Sequence, residues 1–83
     1  MCQQLYKRYV NVEAIFTKFG DIKPIAIYWE KGERYEIDKI LTIKPKISKV
    51  GGGGIQYVCR IQNHERNLFL EQNQRWFIES YKP

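Results

Sequence analysis

Few side chains in this 83-residue chain could do chemistry alone, and their spacing narrows the field further. Cys59 could act as a nucleophile only beside a basic partner in a cleft. It alternates with Ile55, Tyr57 and Ile61, which places it on an apolar strand face and makes an inert core thiol the stronger reading. His64 is the one histidine, and with cysteines only at positions 2 and 59 the chain has no metal-ligand spacing. Its neighbours Gln62, Asn63 and Glu65 set it in a polar turn, open to solvent. Asp38 has no recognisable acid or base beside it, so a structural part, accepting backbone N–H groups at a bend, outweighs general acid–base work. Glu30 and Glu33 flank a turn at Gly32 and are expected in solvent beside Lys31 or Arg34. These residues imply no metal, no cofactor and no enzyme.

The run Gly51–Gly54 invites comparison with phosphate cradles, in which glycines let backbone N–H groups crowd an anion. Those loops lead from a strand into a helix and carry a lysine followed by serine or threonine after the glycines. Here Ile55-Gln56 follows and opens a strand. A flexible connection over 47–54 is the expected role, because four successive glycines lose the most backbone freedom on ordering.

The basic residues are informative by position. Fourteen lysines and arginines face nine acidic residues. Lys39, Lys44, Lys46, Lys49 and Arg60 lie between residues 39 and 64, where no acidic residue occurs, so the whole excess of +5 sits in that stretch. Two readings follow. In the first, Lys44, Lys46, Lys49 and Arg60 track a nucleic-acid backbone, with Tyr57 or another exposed ring as a stacking platform. In the second they are a solvated face whose edge or aromatic neighbours bind a protein segment. The second is favoured, with weak nucleic-acid binding through 39–60 as the alternative.

The elements that must position these residues are strands. Ile25–Ile43 reads as a hairpin: Ile25, Ile27 and Trp29 alternate with Ala26, Tyr28 and Glu30, Glu30-Lys31-Gly32-Glu33 turns the chain, and Tyr35 and Ile37 alternate on the return arm. Trp29, Gly32, Tyr35, Asp38 and Trp76 are the expected structural positions. Strict alternation would bury Lys39, and a bulge over 38–41 would spare it and add twist. Pro24 should mark a strand start or an edge, and Pro45 an end or edge. Residues 6–19 permit a helical stripe of Val12, Ile15, Phe16 and Phe19, but poor helix formers and the lack of an N-cap favour a strand with Val10, Val12, Ala14 and Phe16 on one face. Further strands are expected at 55–61, 67–71 and 75–79, with a core of Ile25, Ile27, Ile37, Ile55, Tyr57, Ile61, Phe69 and Trp76.

The fold so expected is all-β, a five- to six-stranded antiparallel meander curled into a small SH3-like barrel. Residues 1–83 form one domain, with about 1–5 and 81–83 frayed at its ends. A chain this short buries only about 60–65% of the surface exposed on unfolding, so its six tyrosines, four phenylalanines and two tryptophans must carry much of the core. The absence of a long apolar run and of a signal-like start predicts no membrane association. Two distant cysteines fit a reducing, cytoplasmic setting better than a Cys2–Cys59 disulfide. A monomer or weak dimer is expected.

Pro24, Tyr28-Trp29-Glu30-Lys31-Gly32, Tyr35 through Leu41, Gly54, Tyr57, Cys59-Arg60-Ile61, Leu68-Phe69 and Trp76 through Glu79 together resemble small uncharacterised all-β proteins of Gram-positive bacteria over nearly the whole chain. The resemblance implies a stand-alone β domain and assigns no site residue. The spacing of Trp29, Gly32, Tyr35 and Ile37 is also loosely similar to small domains found beside Y-family DNA polymerases, which implies a nucleic-acid or repair context.

Overall fold

The structure, a computed structural model, describes residues 4–81. Cys2 and most of the expected frayed ends lie outside the described residues. Eight strands run in order: β1 (Tyr6–Tyr9), β2 (Asn11–Phe16), β3 (Ile22–Tyr28), β4 (Arg34–Glu36), β5 (Lys39–Ile47), β6 (Gly53–Ile61), β7 (His64–Glu71) and β8 (Trp76–Ser80). They form a five-stranded sheet, β1-β8-β7-β6-β5, and a three-stranded sheet, β2-β3-β4. All pairings are antiparallel. The described chain is all-β, but no closed barrel is found.

Two expected strands are each cut in two, which is why six runs become eight. The strand reading of 6–19 holds as far as Phe16, with Phe19 in the turn that follows, and the chain changes sheets at Val10, whose N–H donates to Trp76 O at 3.1 Å. The return arm of the central hairpin pairs with β3 for only three residues. Ile37 N–H then donates to Ile25 O at 2.9 Å and Asp38 N–H to Arg60 O at 2.8 Å, handing the chain to the other sheet. Asp38 Oδ2 accepts Gln62 N–H at 3.1 Å, so the carboxylate fixes this crossing from the β6–β7 turn.

Local irregularities have physical causes. The β5–β6 register steps past Leu41, the expected bulge, and leaves Lys39 exposed opposite Arg60. Pro24 does not start a strand. It lies inside β3 opposite Ala14, at a register shift where a missing N–H is tolerated. The expected face of β2 is only partly covered: Phe16, at the end of the strand, is exposed, while Val12 packs on the core. Gly32, at φ 80°, takes the left-handed position of the β3–β4 turn. The glycine run is not all loop. The turn spans 48–52, closed by Ser48 N–H to Gly52 O at 2.8 Å, and β6 begins at Gly53. At Gly54 a Cβ would run into the Leu70 carbonyl, so glycine there permits close strand approach. Gln62 and Asn63, at φ 51° and 64°, form a two-residue type I′ turn, and His64 opens β7 rather than lying in the turn.

The five-stranded sheet buries apolar residues on both of its faces. On one, Tyr57, Leu68 and Ile78 pair across strands and pack with Ile27, Cys59 and Ile61. On the other, Phe69 and Phe77 stack with centroids 4.9 Å apart. Phe69 therefore faces away from Trp76, whose partner is Leu70. Of the expected core, Ile27, Tyr57, Ile61 and Phe69 are buried, and Ile25, Ile37, Ile55 and Trp76 are half-buried. The β5–β6 turn reaches over the Phe77 face to Glu79: Ser48 Oγ donates to Glu79 Oε2 at 2.7 Å, Lys49 N–H to the same oxygen at 3.2 Å, and Asn67 Nδ2 to Oε1 at 2.9 Å. The Lys7 ammonium lies 4.6 Å from the Phe77 ring centroid and pairs with Glu71 at 3.0 Å.

Candidate functional site

Beyond Ala26, β3 loses β4 as a neighbour, because the chain has crossed to the other sheet as β5. The two strands diverge and leave an open groove of about 950 Å³. Ile22, Pro24 and Ile25 line one wall, Ile37, Ile40 and Ile43 the other, and Tyr57 lies between them. The Tyr57 hydroxyl donates to Ile22 O at 2.9 Å and ties the sheets together at this point. Burial raises the phenol's pKa above its ordinary value. Lys23, Lys39, Asp21 and Asp38 supply the charge around the groove.

The rims are apolar and uncovered. Ile15 and Phe16 are the cross-strand partners of the groove residues Lys23 and Ile22. Phe19 stands in the turn between Thr17 and Asp21, which both line the groove. Phe16 is 72% exposed and Phe19 81%. On the opposite rim Ile43, Pro45 and Ile47 alternate along β5, and Ile47 is 80% exposed. Since β5 ends the five-stranded sheet, one of its backbone edges has no strand beside it among the described residues. Pro45 sits on this edge strand, as its missing N–H requires.

Register also locates the basic stretch. Lys39 pairs with Arg60, Lys44 with Gln56 and Lys46 with Gly54, so these residues share the face opposite Ile43 and Ile47. Lys49 lies apart in the turn and is exposed. The exposed ring on this face is Tyr9, which pairs with Phe77 at the far edge of the sheet and carries the Arg75 guanidinium 3.7 Å from its centroid. Tyr57 is buried on the other side of the sheet, and Phe69 and Phe77, which share the basic face, are buried as well.

Comparison with protein-family models, curated proteins and solved structures finds no match to this chain. The residues themselves must therefore carry the argument. Cys59 is a buried free thiol whose Sγ donates to Tyr57 O at 3.5 Å. Burial pushes its pKa up to about 12, which leaves little thiolate to act as a nucleophile. Among the described residues no group of three potential metal ligands comes together, and no helix is long and apolar enough to cross a membrane. Trp29 and Tyr35 pack on the edge of the core, Gly32 lies in an exposed turn, and Trp76 lies 5.4 Å from the Tyr57 ring.

Sequence reasoning missed the groove's rims. Phe16 and Phe19 flank Thr17-Lys18 in a turn, where two large rings are out of place unless something covers them. That pairing was the available signal.

Proposed function

We propose that the protein is a non-enzymatic interaction module that docks an extended protein segment in the groove between β3 and β5. The observation that carries this reading is the uncovered apolar rim, Ile15, Phe16 and Phe19 on one side and Ile43 and Ile47 on the other. Surface apolar residues are ordinary when scattered, but a contiguous cluster beside a groove marks a contact surface. β5 offers its free edge for main-chain pairing, the mode in which a sheet takes on an added strand. Its two faces set a pattern for the guest: apolar side chains toward Ile43 and Ile47, acidic ones toward Lys44 and Lys46.

The same pattern argues against a second copy as the guest. β5 contains no acidic residue, so pairing it with itself would gather lysines of both copies on one face. A monomer or weak dimer in a cytosolic setting, with Cys59 reduced, completes the reading. The backbone bonds at Val10, Ile37 and Asp38, which reach both sheets, support an SH3-like ring of six strands in which two bent strands are shared.

Shared placement of Lys39, Lys44, Lys46 and Arg60 on one face favours a second reading, weak binding of a nucleic-acid backbone. Tyr9, the exposed ring on that face, lies in β1 at the opposite edge of the sheet from Lys44 and Lys46 and already carries the Arg75 guanidinium, which weighs against single-strand stacking. Selection from a random peptide library, beside titration with single- and double-stranded oligonucleotides at low salt, separates the two. The favoured reading expects peptides that alternate acidic and apolar residues, with binding lost in Ile43→Asp. If oligonucleotides bind instead, with a log–log salt slope of about −3 that the Lys44, Lys46 and Lys49 to Gln triple change flattens by about 2, the second reading replaces it.

A further inference from the structure

The opposite mouth of the two sheets holds a smaller cleft of about 300 Å³, lined by Trp29, Tyr35, His64, Arg66 and Tyr81 among others. That volume lies at the lower end of the range of small-ligand pockets, about 300–1,000 Å³. Arg66 is the anomaly in it. It stands opposite Cys59 in the β6–β7 register, so it shares the sheet face that packs on the core, and it is half-buried. No hydrogen bond, ion pair or ring contact engages its guanidinium among the described residues.

The carboxylates near this mouth are committed elsewhere. Glu30 pairs with Arg8, Glu33 accepts the Tyr35 hydroxyl at 3.1 Å, and Glu79 is held from the far face by Ser48 and Asn67. Glu65 follows the alternate face, opposite Arg60. A partly desolvated cation is costly without a counter-charge. A guanidinium fork matches a carboxylate or phosphate with two parallel hydrogen bonds, and the rings of Trp29, Tyr35 and Tyr81 offer flat apolar walls.

We propose that this cleft binds a small aromatic anion, its carboxylate or phosphate paired with Arg66 and its ring lodged among Trp29, Tyr35 and Tyr81. The site is separate from the β3–β5 groove and does not depend on it. Titration of isotope-labelled protein with phenylacetate, phenyl phosphate and the neutral phenylacetamide tests it by chemical-shift change. Both anions should saturate in the millimolar range or below, moving the Arg66 and Trp29 side-chain signals, with the amide about tenfold weaker. Arg66→Gln should weaken both anions by about tenfold, and Arg66→Lys, which keeps the charge but not the fork, by less. Whichever anion binds more tightly names the head group. Equal affinity for phenylacetate and phenylacetamide overturns the proposal, as does unaltered anion binding by a folded Arg66→Gln variant or the absence of shifts at millimolar anion. The comparison of acid with amide uses the unmodified protein, so it decides the matter even if Arg66→Gln does not fold.

Discussion

Phe77 and Phe16 are the same side chain in two regions of one small protein, and they meet opposite fates. Phe77 lies in the five-stranded sheet, stacked on Phe69, beneath the Lys7 ammonium and on the face that the β5–β6 turn crosses. Phe16 lies at the end of β2 in the three-stranded sheet, mostly in solvent. Both occupy period-two strands, so strand pattern does not separate them. What differs is cover. At Phe77 the larger sheet is covered by its own chain, through Lys7 and the β5–β6 turn, whereas the smaller sheet runs past the point where β4 leaves it. Phe77 helps hold the fold together, whereas Phe16, like Ile43 and Ile47 across the groove, remains available to a guest.

The largest expected effect sharpens this contrast. Phe77→Ala should cost about 3–5 kcal/mol, a buried ring replaced by a cavity. Phe16→Ala should stay within about 0.5 kcal/mol of the parent, as surface changes usually do. Urea unfolding of the two variants measures both, and equal losses would erase the distinction between the regions.

A smaller effect tests the cover itself. Ser48 Oγ is one of three donors to the buried Glu79 carboxylate. Ser48→Ala leaves that acceptor short of a partner and should cost about 1–3 kcal/mol. Amide exchange should quicken over 48–52 in this variant while the β2–β3 turn is unchanged. Undisturbed protection at 48–52 would mean that something other than the Glu79 bonds holds the turn down.

The smallest effect is in acid. The Lys7 ammonium, donating to Glu71, holds that carboxyl below its ordinary range, and the Arg34 guanidinium does the same for Glu13. A carboxyl depressed in the folded state contributes stability that is complete above its unfolded pKa, about 4.3 for glutamate, and is lost as pH falls through the folded value. Both pairs are at the surface, so the loss should be modest and should shrink further in high salt. Unfolding midpoints at neutral pH and below about pH 4 check this. Glu71→Gln should flatten the acid dependence of the five-stranded sheet and leave the Glu13 contribution in place.

The sequence makes the strands legible because alternation and turn residues act locally. Gly32, the alternation of Ile55 through Ile61 and the misfit of Lys39 lead directly to a turn, a strand and a bulge. The change of sheet at Val10 and at Ile37-Asp38 is not legible, since a bent strand and a straight one have the same side-chain period. Two cores on opposite faces of one sheet were hidden for a related reason. Phe69 and Trp76 look equivalent as apolar strand residues, and only the cross-strand register parts them. The groove belongs to the same blind spot, because it exists where β3 and β5 diverge and neither strand records that separation alone. The lysines of β5 were readable as a group, but their shared face depended on the step past Leu41.

The central claim is that the uncovered rims are a docking surface and contribute nothing to the fold. Calorimetric titration of a library-selected acidic–apolar peptide into the parent protein and into Phe16→Asp and Ile43→Asp, with unfolding midpoints for all three, tests it most directly. The account predicts unfolding midpoints close to the parent's and at least about a tenfold loss of affinity in each variant, some 1.4 kcal/mol or more of binding free energy. Variants that unfold while the parent is stable, or that bind the peptide as tightly as the parent, would contradict it.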